Sequence, residues 1–208
     1  MNAILNHYLT LPFLEVIAVV TSLIYVILAA KKNIWCWPAA FISTVIYTFL
    51  FYKFYLWMDS LLQVYYMGMA FYGWYCWSKN TDEPESSSIK LKTYGAKTHF
   101  ISIGILSVIS LAVGFIMDKY TPTDFPYLDS ATTVFAVFST VLVAQKVVEN
   151  WLYWIVIDAV SIYLYVEKGL TPTAFLFGVF ILIAAYGYYM WRKEYLGYNF
   201  SSSELELT

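Results

Sequence analysis

Long apolar runs, broken by short charged or proline-bearing stretches, divide the chain into seven segments of roughly 20 residues. At 1.5 Å per residue, about 20 helical residues cross a hydrocarbon core of about 30 Å, so each run predicts one transmembrane helix. The first covers 12–30 and is closed by Lys31 and Lys32; the second covers 34–51, carries no charge and is closed by Lys53. The third covers 59–77, the fourth 98–117 and the fifth 127–148, while the sixth opens at Asn150 and ends at Glu167. Thr171-Pro172 has the form of a cap followed by proline in the first helical turn, and starts a seventh segment ending at Trp191-Arg192-Lys193. Pro12 suits the first turn of the first helix for the same reason.

Between these runs, residues 78–97 replace the apolar pattern with Thr-Asp-Glu-Pro-Glu-Ser-Ser-Ser and then Lys90, Lys92 and Lys97, a solvated connector. The polar tail at 196–208 reads as mobile. Residues 1–11 have neither a basic start nor a small-residue cleavage site, so they do not read as a removable signal peptide. The expected fold class is an all-α integral membrane protein of seven transmembrane helices.

Composition strengthens the membrane reading and removes others. Hydrophobic residues make up 61% of the chain, aromatic residues 21% and charged residues 12%, with mean hydropathy +0.63; soluble chains carry about 25% charged residues. The net charge is -2 and the basic residues are scattered, which argues against a nucleic-acid partner. Cys36 and Cys76 lie in apolar runs and read as packing residues. Counting Lys and Arg between alternate segments gives nine on one side and three on the other. By the positive-inside rule the amino terminus is outside and the carboxyl terminus cytoplasmic.

The chain also echoes itself. Asn33-Ile34-Trp35-Cys36-Trp37 resembles Asn150-Trp151-Leu152-Tyr153-Trp154 at an offset of 117, and Tyr72-Gly73-Trp74-Tyr75-Cys76-Trp77 resembles Tyr186-Gly187-Tyr188-Tyr189-Met190-Trp191 at 114. A three-residue shortening between them reconciles the two. Residues 12–77 and 127–191 then form two three-helix repeats; the 98–117 helix links them, after the cytoplasmic loop 78–97, so that both run in the same direction. Aromatic residues are abundant enough for a chance echo, and the matching topology is what favours duplication.

The sixth segment concentrates the candidate chemistry. As a helix, it places Trp151, Trp154, Asp158, Ser161 and Tyr165 at intervals of three and four, on one face. Asp158 is its only charge between Glu149 and Glu167, and a carboxylate deep in a span is a functional candidate by default. An acid beside two indoles suits a flat cation; the alternative is a helix-packing carboxyl bonded to a neighbouring Tyr or Ser. Gln63 is a second candidate, as an amide contact or as interhelical glue. Asn150 competes with a capping role, and Trp37 and Thr44 match the same face through the repeat. Trp57, Trp77 and Trp191, at segment ends, read as interfacial belt residues.

No G-x-x-x-x-G-K-[ST] loop, H-E-x-x-H or Cys/His cluster is present, so neither ATP hydrolysis, a metal nor any cofactor is expected. His7 and His99 both fall near segment ends. With Asp158 the only deep acid, downhill movement fits better than proton coupling, which normally shows several buried acids or histidines. A membrane-embedded enzyme or assembly subunit is the other class considered, and no catalytic pair supports the former.

Trp151-x-x-Trp154 followed by Leu164-Tyr165, with the Asn-led Trp segment and the Tyr-Gly-containing ends of the third and seventh segments, resembles the PnuC vitamin transporters over essentially all seven spans. The pattern W-x-x-W-x-x-x-N-x-x-x-x-x-L-Y of the nicotinamide riboside branch is matched except that Asp158 stands at the Asn. The resemblance implies a three-plus-one-plus-three helix carrier similar to the SWEET sugar transporters. It also implies a homotrimer in the bacterial inner membrane, among membrane lipid. Such a carrier moves nicotinamide riboside by facilitated diffusion, and a cytoplasmic kinase traps the product. The family's paired tryptophans carry over onto Trp151 and Trp154 as part of a substrate site between the second, third, sixth and seventh spans. Thiamine, another flat cation, is the alternative vitamin.

Overall fold

The computed structural model describes residues 2–53, 57–79, 91–167 and 171–205. These residues form seven α-helices: α1 (Asn2–Ala30), α2 (Cys36–Lys53), α3 (Trp57–Ser78), α4 (Ala96–Tyr120), α5 (Pro126–Ala144), α6 (Asn150–Glu167) and α7 (Thr171–Leu205). Among the described residues, four helices are long and apolar enough to cross a membrane by length and composition: 13–30 of α1, all of α4 and α5, and 174–197 of α7. The other three, α2, α3 and α6, interleave indole, phenol and hydroxyl side chains with their apolar residues. Large apolar side chains lie exposed on the described helices. α4, for instance, exposes Phe100, Ile105, Val108, Leu111 and Phe115.

The chain divides into two compact units, residues 1–89 and 90–208. In the first, α2 packs against α1 and α3, and the buried Ser43 hydroxyl donates to the Ala18 carbonyl at 3.0 Å, crossing from α2 to α1. In the second, α4, α5, α6 and α7 pack in chain order. There Ser130 Oγ donates to the Ser110 carbonyl at 2.8 Å. These neighbours are joined by short corners, as expected of antiparallel helices.

The two units build one corner in the same way. Lys32 (φ 54°) and Lys146 (φ 62°) are the non-glycine residues with positive φ among the described residues, and both sit just past a helix end. Around Lys32, Lys31 N–H donates to Ile27 O, Lys32 N–H to Ala29 O, Asn33 N–H to Leu28 O and Cys36 N–H to Asn33 O. Around Lys146, Gln145 N–H donates to Val141 O, Lys146 N–H to Val143 O, Val147 N–H to Leu142 O and Asn150 N–H to Val147 O. Every residue of the second set lies 114 beyond its counterpart. The left-handed residue satisfies orphan carbonyls at the helix end and reverses the chain.

The same offset governs the packing. In the first unit the Trp37 indole lies directly on Gly73, where a Cβ would overlap its ring. It meets Trp77 edge to face, with centroids 5.4 Å apart and planes at 88°. In the second, Trp151 lies on Gly187, with ring atoms 2.7 Å from the position of a Cβ, and meets Trp191 at 5.4 Å and 87°. Trp37, Trp77, Trp151 and Trp191 are all buried. Trp77 and Trp191 are therefore internal packing partners rather than interfacial belt residues. Trp57 lies outside the described side chains.

Three boundaries differ from the sequence expectation. α1 begins at Asn2, so Pro12 lies inside it rather than in its first turn. α5 stops at Ala144 rather than at 148, because Lys146 turns the chain; Val147 and Val148 are fully buried outside any helix, so the apolar pattern runs past the helix end. α7 continues to Leu205, making 196–205 helical rather than a loose tail. The uniform 114-residue register also pairs Asn150 with Cys36, not with Asn33, and the three-residue shortening drops out.

Candidate functional site

α6 turns its Asn150, Trp151, Ile157, Asp158, Ser161 and Leu164 inward. Asp158 is 4% exposed and sits one turn beyond Trp154, which is half-buried. Trp151 is pinned between Gly187 and Trp191, and its indole N–H is buried without a hydrogen-bond partner. Tyr165, at the far end of the same face, stacks on Phe177 of α7 with centroids 5.2 Å apart. The predicted aromatic, acidic and hydroxylic face thus exists, with Ile157 and Leu164 filling the positions between.

Asn150 is fully buried at the first residue of α6; its Nδ2 donates to the Val147 carbonyl at 2.6 Å, and its Oδ1 has no hydrogen-bond partner. This ties it to the corner. Asn33, in contrast, accepts the Trp35 N–H at 3.0 Å through its side-chain oxygen.

The first unit holds the remaining candidates. Trp37 is buried on Gly73, and its indole N–H, like that of Trp151, has no hydrogen-bond partner. Thr44 is buried on α2 and donates to the Phe41 carbonyl of its own helix at 3.0 Å. Gln63 is half-buried on α3.

The 114-residue register adds a comparison that sequence echo alone obscured. Trp151 corresponds to Trp37, Asp158 to Thr44 and Trp154 to Ala40. The pinned tryptophan is common to both units, whereas the half-buried indole and the acid occur in the second alone.

One polar cluster in the second unit was not anticipated. The 91–95 end of the connector lies along the α5–α6 corner: Lys92 N–H donates to Lys146 O at 3.0 Å and Val148 N–H to Lys92 O at 2.8 Å. Tyr94 N–H donates to Glu149 Oε2 at 3.3 Å, and its hydroxyl to Gln145 Oε1 at 2.9 Å. His99 Nδ1 is 2.9 Å from the Tyr153 hydroxyl, and His99 Nε2 is 3.9 Å from Glu149 Oε2. Thr93 Oγ1 donates to the Tyr195 hydroxyl at 3.1 Å. This end of the connector is docked rather than solvated. Its members stand about fifty or a hundred residues apart in sequence, so no local pattern signals it. Among the described residues no three His, Cys, Asp or Glu gather where they could hold a metal ion.

A family model described as nicotinamide mononucleotide transporter matches residues 12–193. Over 204 residues the chain is 24% identical to the nicotinamide riboside transporter PnuC of Escherichia coli, with 87% of this chain and 85% of that protein covered. It is also 24% identical, over 179 residues, to the riboflavin/roseoflavin transporter RibM of Streptomyces davaonensis, with 85% and 83% covered. The crystal structure of the vitamin B3 transporter PnuC is similar in fold, with a TM-score of 0.72 at 23% identity, covering 93% of this chain and 86% of that one.

Proposed function

The chain belongs to the nicotinamide mononucleotide transporter family, and from that premise we propose that it carries nicotinamide riboside across a membrane by facilitated diffusion. Membership makes it a multi-pass membrane transporter and not an enzyme. The observation that carries the substrate reading is the difference between the units on α6 and α2. A half-buried indole and a buried acid one turn apart stand where the first unit has Ala40 and Thr44. Nicotinamide riboside joins a planar pyridinium, a carboxamide and a ribose, and an indole face with a carboxylate beside it meets the first of these.

In this reading Trp154 stacks on the ring and Asp158 lies near its cationic or ribose end. Gln63 supplies an amide contact, Thr44 a hydroxyl, and the pinned Trp37 and Trp151 are fixed walls. Asn150 holds the α5–α6 corner that aims Trp151. α1–α3 and α5–α7 act as two parallel repeats linked by α4, and rocking of one against the other gives alternating access. The carrier works as a homotrimer in the bacterial inner membrane, amino terminus outside and carboxyl terminus cytoplasmic, and a cytoplasmic kinase phosphorylates and traps the product.

Uptake of labelled nicotinamide riboside into liposomes tests this. Without kinase the internal concentration should rise only to the external one; with kinase and ATP enclosed, label should accumulate beyond it. Absence of uptake, or accumulation without the kinase, overturns the proposal.

A second reading, transport of a different vitamin, is favoured by Asp158 in place of the family Asn and by the similarity to RibM. Thermal-shift measurements with nicotinamide riboside, thiamine and riboflavin separate the two. Asp158→Asn is expected to weaken the two cationic vitamins about ten-fold, the loss of one charge contact, and to leave uncharged riboflavin unaffected. Equal binding of nicotinamide riboside by both proteins would reduce Asp158 to a hydrogen-bonding residue.

A further inference from the structure

α4 and α6 both pack on α5, and between them remains a cavity of about 500 Å³. Neither Trp154 nor Asp158 lines it. One wall runs from Glu149 at the corner along α6 to Val160, a length of about 16 Å at the helical rise, so the space is a slot along the helices. The two ends differ in chemistry. His99, Glu149 and Tyr153 stand at one end, and beyond them the walls are almost wholly apolar, ending at Leu128 and Val160.

Depth assigns the ends a place in the bilayer. His99 lies in the first turn of α4, itself a membrane-crossing helix, and Glu149 lies in the corner between α5 and α6. The polar mouth is therefore at the height of the lipid headgroups, and the apolar slot descends into the hydrocarbon. At the mouth, His99 Nδ1 is occupied by the Tyr153 hydroxyl, while Nε2 is buried without a hydrogen bond. In the tautomer with the proton on Nε2, Tyr153 donates to Nδ1, and Nε2–H, 3.9 Å from Glu149 Oε2 and so beyond hydrogen-bond reach of it, is placed to meet an uncharged ester oxygen. A buried polar nitrogen without a partner is costly and needs an explanation. A bilayer amphiphile supplies one, because its head carries the acceptor and its tail fills the slot.

We propose that the slot between α4 and α6 is a binding site for one acyl chain of a bilayer phospholipid, with the headgroup at His99. It is separate from the vitamin site and independent of which vitamin is carried. The occupant is elongated, apolar along its length and polar at one end, as this slot is.

The test uses the full-length protein purified from vesicles of phosphatidylethanolamine and phosphatidylglycerol. Native mass spectrometry should show one phospholipid held per chain through delipidation. Ala131→Phe, which projects a ring into the slot, should weaken retention about ten-fold, equivalent to roughly two methylenes displaced. Val108→Phe, on the outward face of α4, should leave retention unchanged. A measurement on the unaltered protein guards against misfolding of the variant. A phospholipid with a photoactivatable tail should label peptides from 131–135 and 156–160, and excess unlabelled phospholipid should suppress that labelling. Labelling spread evenly over the outward face of α4, or retention unaffected in A131F, overturns the site. So does efficient disulfide cross-linking between chains from Ala131→Cys, which would mean that a second copy of this chain fills the slot.

Discussion

Gly187→Ala and Gly73→Ala are each expected to lower the melting temperature of the purified protein by several degrees, at a cost of about 1–3 kcal/mol. At Gly187 a methyl group would lie 2.7 Å from the Trp151 ring, well inside van der Waals contact. The indole has little room to withdraw, because it is buried and its other side meets Trp191, itself wholly buried. At Gly73 the overlap with Trp37 is closer still, and Trp77 holds that indole in the same manner. Either the helices separate or the ring leaves its rotamer, and both disturb a close-packed interior. Pairing G187A with Trp151→Phe should recover part of the loss, since the smaller ring vacates the space; the double variant is then less destabilised than the sum of the singles. Gly68→Ala is the control: nothing lies within 4 Å of its Cβ position, so helix propensity alone predicts a slight gain of about 0.5–1 kcal/mol. Fluorescence-monitored unfolding in detergent reads all of these, Trp151→Phe alone included, and a G187A protein that melts with the parent would show that the tryptophan packing is not tight.

The second large effect is on binding. Trp154→Ala should reduce affinity for nicotinamide riboside roughly 2- to 30-fold, the range of an aromatic–cation contact of about 0.5–2 kcal/mol, while folding is retained because Trp154 is only half-buried. Trp154→Phe keeps a ring face and should fall between the two. Titration of the purified protein measures both. Trp151→Ala offers a contrast, since removing an indole packed on Gly187 and Trp191 should damage stability before it changes ligand selectivity. An unchanged affinity in W154A would remove the centre of the substrate reading.

The seven helices were legible because each apolar run has the length of one helix and ends in charge or proline. The limits of α1 and α5 were less so, because hydrophobicity reports burial and not conformation. Val147 and Val148 are as buried as any helical residue but belong to a corner set by the left-handed Lys146. The internal echo was read from letters, and the shared Asn and Trp at 33 and 150 suggested a register that the hydrogen bonds of the corners do not follow. Asp158 and Trp154 stood out on chemical grounds alone, as a lone acid and an indole on one face. The cluster of Tyr94, His99, Glu149 and Tyr153 was not visible, since its contacts join residues some fifty positions apart.

The unbroken 114-residue register has a historical reading. If both three-helix segments descend from one ancestral peptide, its earliest carriers were assembled from identical copies and offered every ligand duplicate side chains. To a cargo lying across the symmetry axis, such an assembly offers equivalent orientations. The divergence of one position into Ala40 and Trp154, and of another into Thr44 and Asp158, would then mark the loss of that symmetry, after which a molecule charged at one end had a preferred way to lie.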